Sequence, residues 1–274
     1  REGNYLRTWN EASFVRPHGI LIAPDDTLYL TDDEGHTVRR FTPEGRLLLT
    51  LNPGGRPSDT GATSPDYRTV KRAAPPFNYP TNVALSPGGE IFVSDGYGNA
   101  RIHRFTADGR LLHSWGAPGD EPGHFNVPHG LVIDRQGVVL VADRENSRIQ
   151  RFTPDGHLID IWTDVARPCD LFIDPVGRIF VAEIGFRAGK YYGPVPPNAS
   201  GGRLSIFSPE GKLLARFGGG VNPCAPGDFW SPHDIWLDSR GDFYVGEVNY
   251  TTGIRPGKIG ADSHTLQKFT RVTG

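Results

Sequence analysis

The sequence predicts an all-β protein built as a propeller, and three observations lead there. A tripeptide frame recurs as Pro17-His18-Gly19, Pro80-Thr81-Asn82, Pro128-His129-Gly130, Pro168-Cys169-Asp170 and Pro232-His233-Asp234. Each copy runs into an apolar stretch, then a second stretch ending in an acid: LYLTD, IFVSD, VLVAD, IFVAE and FYVGE. Glycine-turned alternating segments close the units, as in PEGRLLLTL, ADGRLLHSW, PDGHLIDIW and PEGKLLARF. Glycine in third place there accepts positive φ without steric cost, and the alternation that follows reads as a half-buried strand. Four short antiparallel strands repeated every ~40–45 residues are the signature of a propeller blade.

Composition narrows the possibilities. The 274 residues suffice for one large repeat domain, 1–274. A net charge of −2 with both signs interspersed gives no footprint for nucleic acid or an anionic membrane. With 35 glycines and 24 prolines the chain is turn-rich, and no apolar run reaches spanning length. Two cysteines, Cys169 and Cys224, make no disulfide framework; free thiols in a reduced cytoplasm are expected, with a single bridge the alternative. The chain opens on Arg1 without a signal peptide, so an upstream segment is expected and secretion stays open.

Taken in order, 1–9 aligns with the closing strands, as the last strand of a closing or truncated blade. Blades follow at 17–51, 80–115, 128–162, 168–217 and 232–270, the last with three strands. Segments 52–79, 186–202 and 249–263 interrupt this pattern, and connections of that length often shape a binding face. Five units are present. Evenly spaced histidines favour a six-bladed parent, because alternate positions of six lie 120° apart, whereas in a ring of five two histidines would be neighbours.

His18, His129 and His233 share one register and are expected to converge on the channel. Three neutral imidazoles with an open position suit zinc and catalysis. The remaining histidines, His36, His103, His113, His124, His157 and His264, lack that register and are expected to face solvent. At the ends of the second strands, Asp95, Asp143, Asn99, Asn146, Arg101 and Arg148 read as structural, with the two arginines bridging to neighbouring blades. Tyr97 and Arg144 stand at the turn tips, where other units have Asp33 or Ile184. A phenol beside a cation can ionise below its usual ~10 and act as base, and an exposed arginine can hold a carboxylate.

At RPHGILI, LTDDEGHTV, PTNVAL, VSDGYGNARI, FNVPHGLVI, VADRENSRIQRF and SPHDIWL the chain resembles the NHL-repeat propellers, specifically the peptidyl-α-hydroxyglycine α-amidating lyases. The resemblance implies a six-bladed fold, zinc on His18, His129 and His233, an active-site tyrosine at Tyr97 and a functional arginine at Arg144. It also implies a structural calcium on the Asp234 carboxylate and the Ile20 carbonyl. The family's principal arginine falls in a first blade this chain lacks, which implies impaired activity. A family methionine is Ser231 here. The animal enzymes' disulfide cysteines fall on Asn78, Gly98, Leu140 and Arg151, implying a bacterial, cytoplasmic relative. The expected function is a zinc-dependent lyase splitting a carbinolamide into an amide and glyoxylate, with a peptide or small molecule as substrate. The alternatives are a metal-dependent hydrolase or lactonase, and a non-catalytic scaffold for a protein partner.

Overall fold

The computed structural model describes residues 4, 5, 7–9, 13–220 and 222–271. Nineteen strands form five antiparallel sheets, each a meander in chain order. The first holds β1 (Pro17–Ile22), β2 (Leu28–Asp32), β3 (Thr37–Phe41) and β4 (Leu47–Leu51). The second holds β5 (Pro80–Leu85), β6 (Ile91–Asp95), β7 (Arg101–Phe105) and β8 (Leu111–Trp115). β9 (Pro128–Ile133), β10 (Val139–Asp143), β11 (Arg148–Phe152) and β12 (Leu158–Trp162) make the third. The fourth comprises β13 (Pro168–Ile173), β14 (Ile179–Glu183), β15 (Arg203–Phe207) and β16 (Leu213–Gly218). The fifth has three strands, β17 (Pro232–Leu237), β18 (Phe243–Glu247) and β19 (Leu266–Phe269). This is a five-bladed propeller.

The core lies between blades rather than at one centre. Phe77, Val83, Val93 and Phe105 pack with Tyr29, Val38 and Leu51 between the first two sheets. Phe92, Ile102, Leu131 and Val141 fill the next layer, and Leu140, Leu171 and Val181 the one after. Residues of β6, β10 and β14 are buried throughout, as strands covered on both faces must be. Those of β2 and β18 are only partly buried. Inner strands pack in succession, β1 on β5, β5 on β9, β9 on β13 and β13 on β17; among the described residues β17 and β1 share no comparable packing. Among the described residues the ring is therefore open between the fifth sheet and the first.

Glycines at the last turn of a blade admit a tryptophan from the blade before. Gly156 and Gly211 both have positive φ, and a Cβ there would stand 2.7 Å from Trp115 and 2.4 Å from Trp162. Trp9 takes the same place over Gly45, its ring tilted against Phe41 with centroids 5.5 Å apart. Part of the expected 1–9 strand (1–3 and 6) lies outside the described residues, and 4, 5 and 7–9 form no strand. The segment thus packs as a closing strand does without pairing as one. Both cysteines are free, and no helix among the described residues is long and apolar enough to cross a membrane.

Candidate functional site

The acid ending each second strand organises the entry to its own inner strand. It sits opposite the frame proline, as in Pro80↔Asp95, Pro128↔Asp143, Pro168↔Glu183 and Pro232↔Glu247. Its carboxylate accepts a backbone N–H from the residues just before that proline: Arg16 to Asp32 at 2.9 Å, Asn78 to Asp95, Asn126 to Asp143, Ala166 to Glu183 and Trp230 to Glu247. The third strand supplies further donors, such as Arg148 to Asp143 at 2.7 Å and Gln267 to Glu247 at 3.1 Å, and the turn before it others, as Asn99 to Asp95 and Asn146 to Asp143. Tyr79, Val127 and Arg167, directly before their prolines, have positive φ, so this entry is strained and held. Irregular register follows at each tripeptide, between Pro17 and Ile20 in β1, for example. A bulge re-aims the side chain it carries.

At three of these bulges the side chain is an imidazole, and the three meet. Ring centroids lie 5.0 Å apart for His18–His129, 5.2 Å for His18–His233 and 4.5 Å for His129–His233. One nitrogen from each lies within 4.8 Å of the others. The tautomer is fixed from the next blade: Nδ1 of His18 donates to the Thr81 carbonyl at 2.7 Å, and Nδ1 of His129 to the Cys169 carbonyl at 2.8 Å. Nε2 of each is left with a lone pair. The glycine after each histidine permits this contact, since a Cβ on Gly19 would stand 2.7 Å from the Thr81 oxygen and one on Gly130 2.6 Å from the Cys169 oxygen. His233 is followed by Asp234 instead.

Burial lowers the pKa of His18 and holds His129 and His233 well below the ordinary value; repulsion from neighbouring rings adds to it at His129 and His233, and the Arg144 charge at all three. Neutral imidazoles with lone pairs turned on a common point, backed by carbonyl hydrogen bonds, are a donor set that fits a divalent transition metal.

Tyr97 stands over the trio, its hydroxyl 3.1 Å from Nε2 of His18 and 2.9 Å from Nε2 of His129. Burial pushes its phenol up; the Arg144 guanidinium, 3.4 Å from the hydroxyl and 5.3 Å from the ring centroid, pulls it down. Arg144 is not the exposed tip residue the sequence led us to expect. It is buried, and its Nε donates to Glu145 at 2.7 Å. Glu145 also takes Arg167 at 2.9 Å, so two guanidinium groups share one carboxylate and a net positive charge remains beside the trio. Arg167 is almost wholly buried, lines the same space and escaped the sequence reading; the signal available was its place before Pro168, where Arg16 stands before Pro17. Above Tyr97, Arg144 and His233 opens a cavity of about 480 Å³, walled by the segments around Tyr67, Tyr192 and Thr252.

Asp234 and Ile20 do not join the trio. They line a second cavity of about 180 Å³ along the inner strands, with Asn82 and Asp170. Asp170 accepts from the Asn82 amide at 2.9 Å. Burial raises the Asp170 and Asp234 carboxyls; the Asp234 charge pushes Asp170 further, well above its ordinary value, while the Asp170 hydrogen bond pulls Asp234 down. Asp170 was missed, although Pro168-Cys169-Asp170 repeats the register of Pro232-His233-Asp234.

Two further expectations fail. His36 and His103 are buried rather than solvent-facing: His36 accepts the Tyr79 N–H at 3.1 Å, and His103 sits against Asp95. Arg101 donates to the Ser114 and Gly116 carbonyls at the end of its own blade, not to a neighbour. Arg148 reaches the carbonyls of Asp120, Glu121 and His124, in the connection leading into its own blade.

Comparison with known proteins agrees with this architecture. The NHL repeat family model matches residues 77–105 and 125–152. Peptidyl-alpha-hydroxyglycine alpha-amidating lyase 1 of Drosophila melanogaster is 33% identical over 159 residues, 53% of this chain and 26% of that protein. A probable lyase of the same name from Caenorhabditis elegans is 33% identical over 150 residues, 53% of this chain and 39% of its own. NHL repeat-containing protein 3 of Homo sapiens is 31% identical over 154 residues, 53% of this chain and 41% of that protein. The matched stretch thus spans less than half the length of each relative. Among solved structures, virginiamycin B lyase from Staphylococcus aureus superposes with a TM-score of 0.55 at 14% identity, over 94% of this chain and 71% of that one. A likeness at that identity speaks for the propeller fold alone. The chain carries NHL repeats and is homologous over about half its length to the amidating lyases.

Proposed function

We propose that this protein is a metal-dependent lyase that cleaves the C–N bond of a carbinolamide of the peptidyl-α-hydroxyglycine type, giving an amide and glyoxylate. The observation that carries the reading is the Tyr97 hydroxyl seated on two imidazoles whose third partner, His233, lines the cavity floor. Zinc fits the donor set His18, His129 and His233, and a cation held there supplies positive charge that acidifies a neighbouring hydroxyl and favours a phenolate at Tyr97. The chain's own groups do the rest. Arg144 and Arg167, with one carboxylate between them, attract the substrate carboxylate to this end of the cavity. Tyr97 takes the proton from the substrate hydroxyl as the carbonyl of glyoxylate forms. The electrons of the breaking C–N bond pass to the amide nitrogen, and Tyr97 returns the proton there. Burial beneath the loops keeps bulk water from competing.

At the other end of the inner strands, the Asp170 and Asp234 carboxylates, with the Asn82 amide and the Ile20 carbonyl, offer hard oxygen donors that would suit calcium in a structural role.

Turnover of α-hydroxyhippurate to benzamide and glyoxylate tests the reading, with loss expected in Tyr97→Phe and His129→Ala. Hydrolysis of lactones without glyoxylate release would put a hydrolase in its place. Folded protein that binds no transition metal would leave a non-catalytic scaffold.

A further inference from the structure

The floor of the 480 Å³ cavity carries Tyr97, Arg144, Arg167 and His233, and its upper walls set Tyr67, Tyr192, Ile184 and Val248 among the polar Asp66, Lys190, Thr251 and Thr252. From the segment after the first blade rises Tyr67, in the short turn Tyr67–Thr69 that Asp66 caps through the Arg68 N–H. From the fourth blade comes Tyr192, 46% exposed, with Ile184 below it. Val248 adds a third side. The two tyrosines meet edge to face, ring centroids 5.8 Å apart, so segments from different blades touch at the mouth.

These segments are built, not loosely draped. Arg68 lies 3.6 Å over the Tyr192 ring and is tied to Asp66 at 2.9 Å. The Asn78 amide bonds the Ser58 and Ala62 carbonyls and the Thr60 hydroxyl, which fixes the base of the first segment. Arg167 donates to the Ala188 and Lys190 carbonyls and lies 5.0 Å from the Tyr191 ring centroid. The same guanidinium pairs with Glu145, so the wall bearing Tyr192 is braced from the floor. Burial pushes the Tyr67 phenol up to about 12, which keeps that ring neutral. Preorganised aromatic faces take up apolar groups at little ordering cost.

We propose that Tyr67 and Tyr192, with Ile184 and Val248, form a subsite for a large apolar or aromatic side chain on the residue whose carbonyl becomes the product amide. The inference rests on the lyase reading for its orientation: the carboxylate end lies at the arginines, so the acyl end points up toward the paired tyrosines. Short N-acylated substrates with phenylalanine or leucine before the hydroxyglycine are the class that fits.

The test uses the metal-loaded full chain and two probes, N-acetylphenylalaninamide and N-acetylalaninamide, titrated by calorimetry. The aromatic amide should bind about tenfold to a hundredfold more tightly. Tyr192→Ala should shrink that ratio to about threefold or less, while Tyr192→Phe retains it. Equal binding of the two amides, or a ratio untouched by both Tyr67→Ala and Tyr192→Ala, overturns the subsite. A parallel assay follows the corresponding α-hydroxyglycine-extended substrates. Discriminating binding without turnover of either keeps the subsite and removes the lyase; turnover of both without discrimination does the reverse.

Discussion

Two rings of buried polar groups circle this propeller, and they differ in what their atoms face. The acid ring, Asp32, Asp95, Asp143, Glu183 and Glu247, has its oxygens taken up by backbone N–H groups of the strand entry and by side chains of the third strand. The imidazole trio has its Nδ1 side satisfied at His18 and His129, while its Nε2 side faces only Tyr97 and the other rings. A buried polar group with a full set of protein partners stabilises the fold. One whose lone pairs converge, with a single hydroxyl against two of them, offers donors to a ligand.

The largest effect separating the rings should come from His129→Ala. It should lower carbinolamide turnover on the order of a thousandfold or more, while the unfolding midpoint of the metal-free protein moves little. A collapse of the fold in the metal-free variant would erase the distinction. Asp143→Ala should do the opposite. It leaves Arg148 buried without its carboxylate and should cost about 3–5 kcal/mol of stability, read by denaturant unfolding.

Gly130→Ala sharpens the comparison where the rings touch through the backbone. The new methyl would press on the Cys169 carbonyl that orients His129, and such a displaced support should weaken zinc affinity about ten- to a hundredfold. A competition titration against a chromogenic chelator would measure it; unchanged affinity would mean the carbonyl does not set the ring.

A smaller effect concerns pH. Burial raises the Asp143 carboxyl from 3.8 to about 6, against the pull of Arg148. A raised pKa means the folded state holds the proton longer, so this contribution is full below pH 3.8 and is lost as pH rises through about 6. The stability margin of the wild type over Asp143→Asn should therefore narrow across that window by on the order of 2–3 kcal/mol. A margin that widens with pH would place the Arg148 pairing above the burial cost.

Much of this was legible in the sequence because a repeat turns register into position. The Pro-His register located the trio, and the recurring terminal acid located its supporting ring. What periodicity cannot carry is the partner a side chain finds in another blade. Arg144 reads as a tip residue until Glu145 and Arg167 are seen beside it, and His103 as an outer-strand residue until Asp95 lies against it. Asp170 kept its register but, separated from Asp234 by a whole blade, gave no sign that the two share a cavity. Tyr67 and Tyr192 come from segments outside the repeat, where no register exists to read.

The most direct measurement is elemental analysis of the full chain after zinc loading and desalting, set beside His18→Ala and His129→Ala. One zinc per folded wild-type chain, absent from both folded variants, is the predicted result. Zinc-free wild type, or equal zinc in all three, would contradict the account.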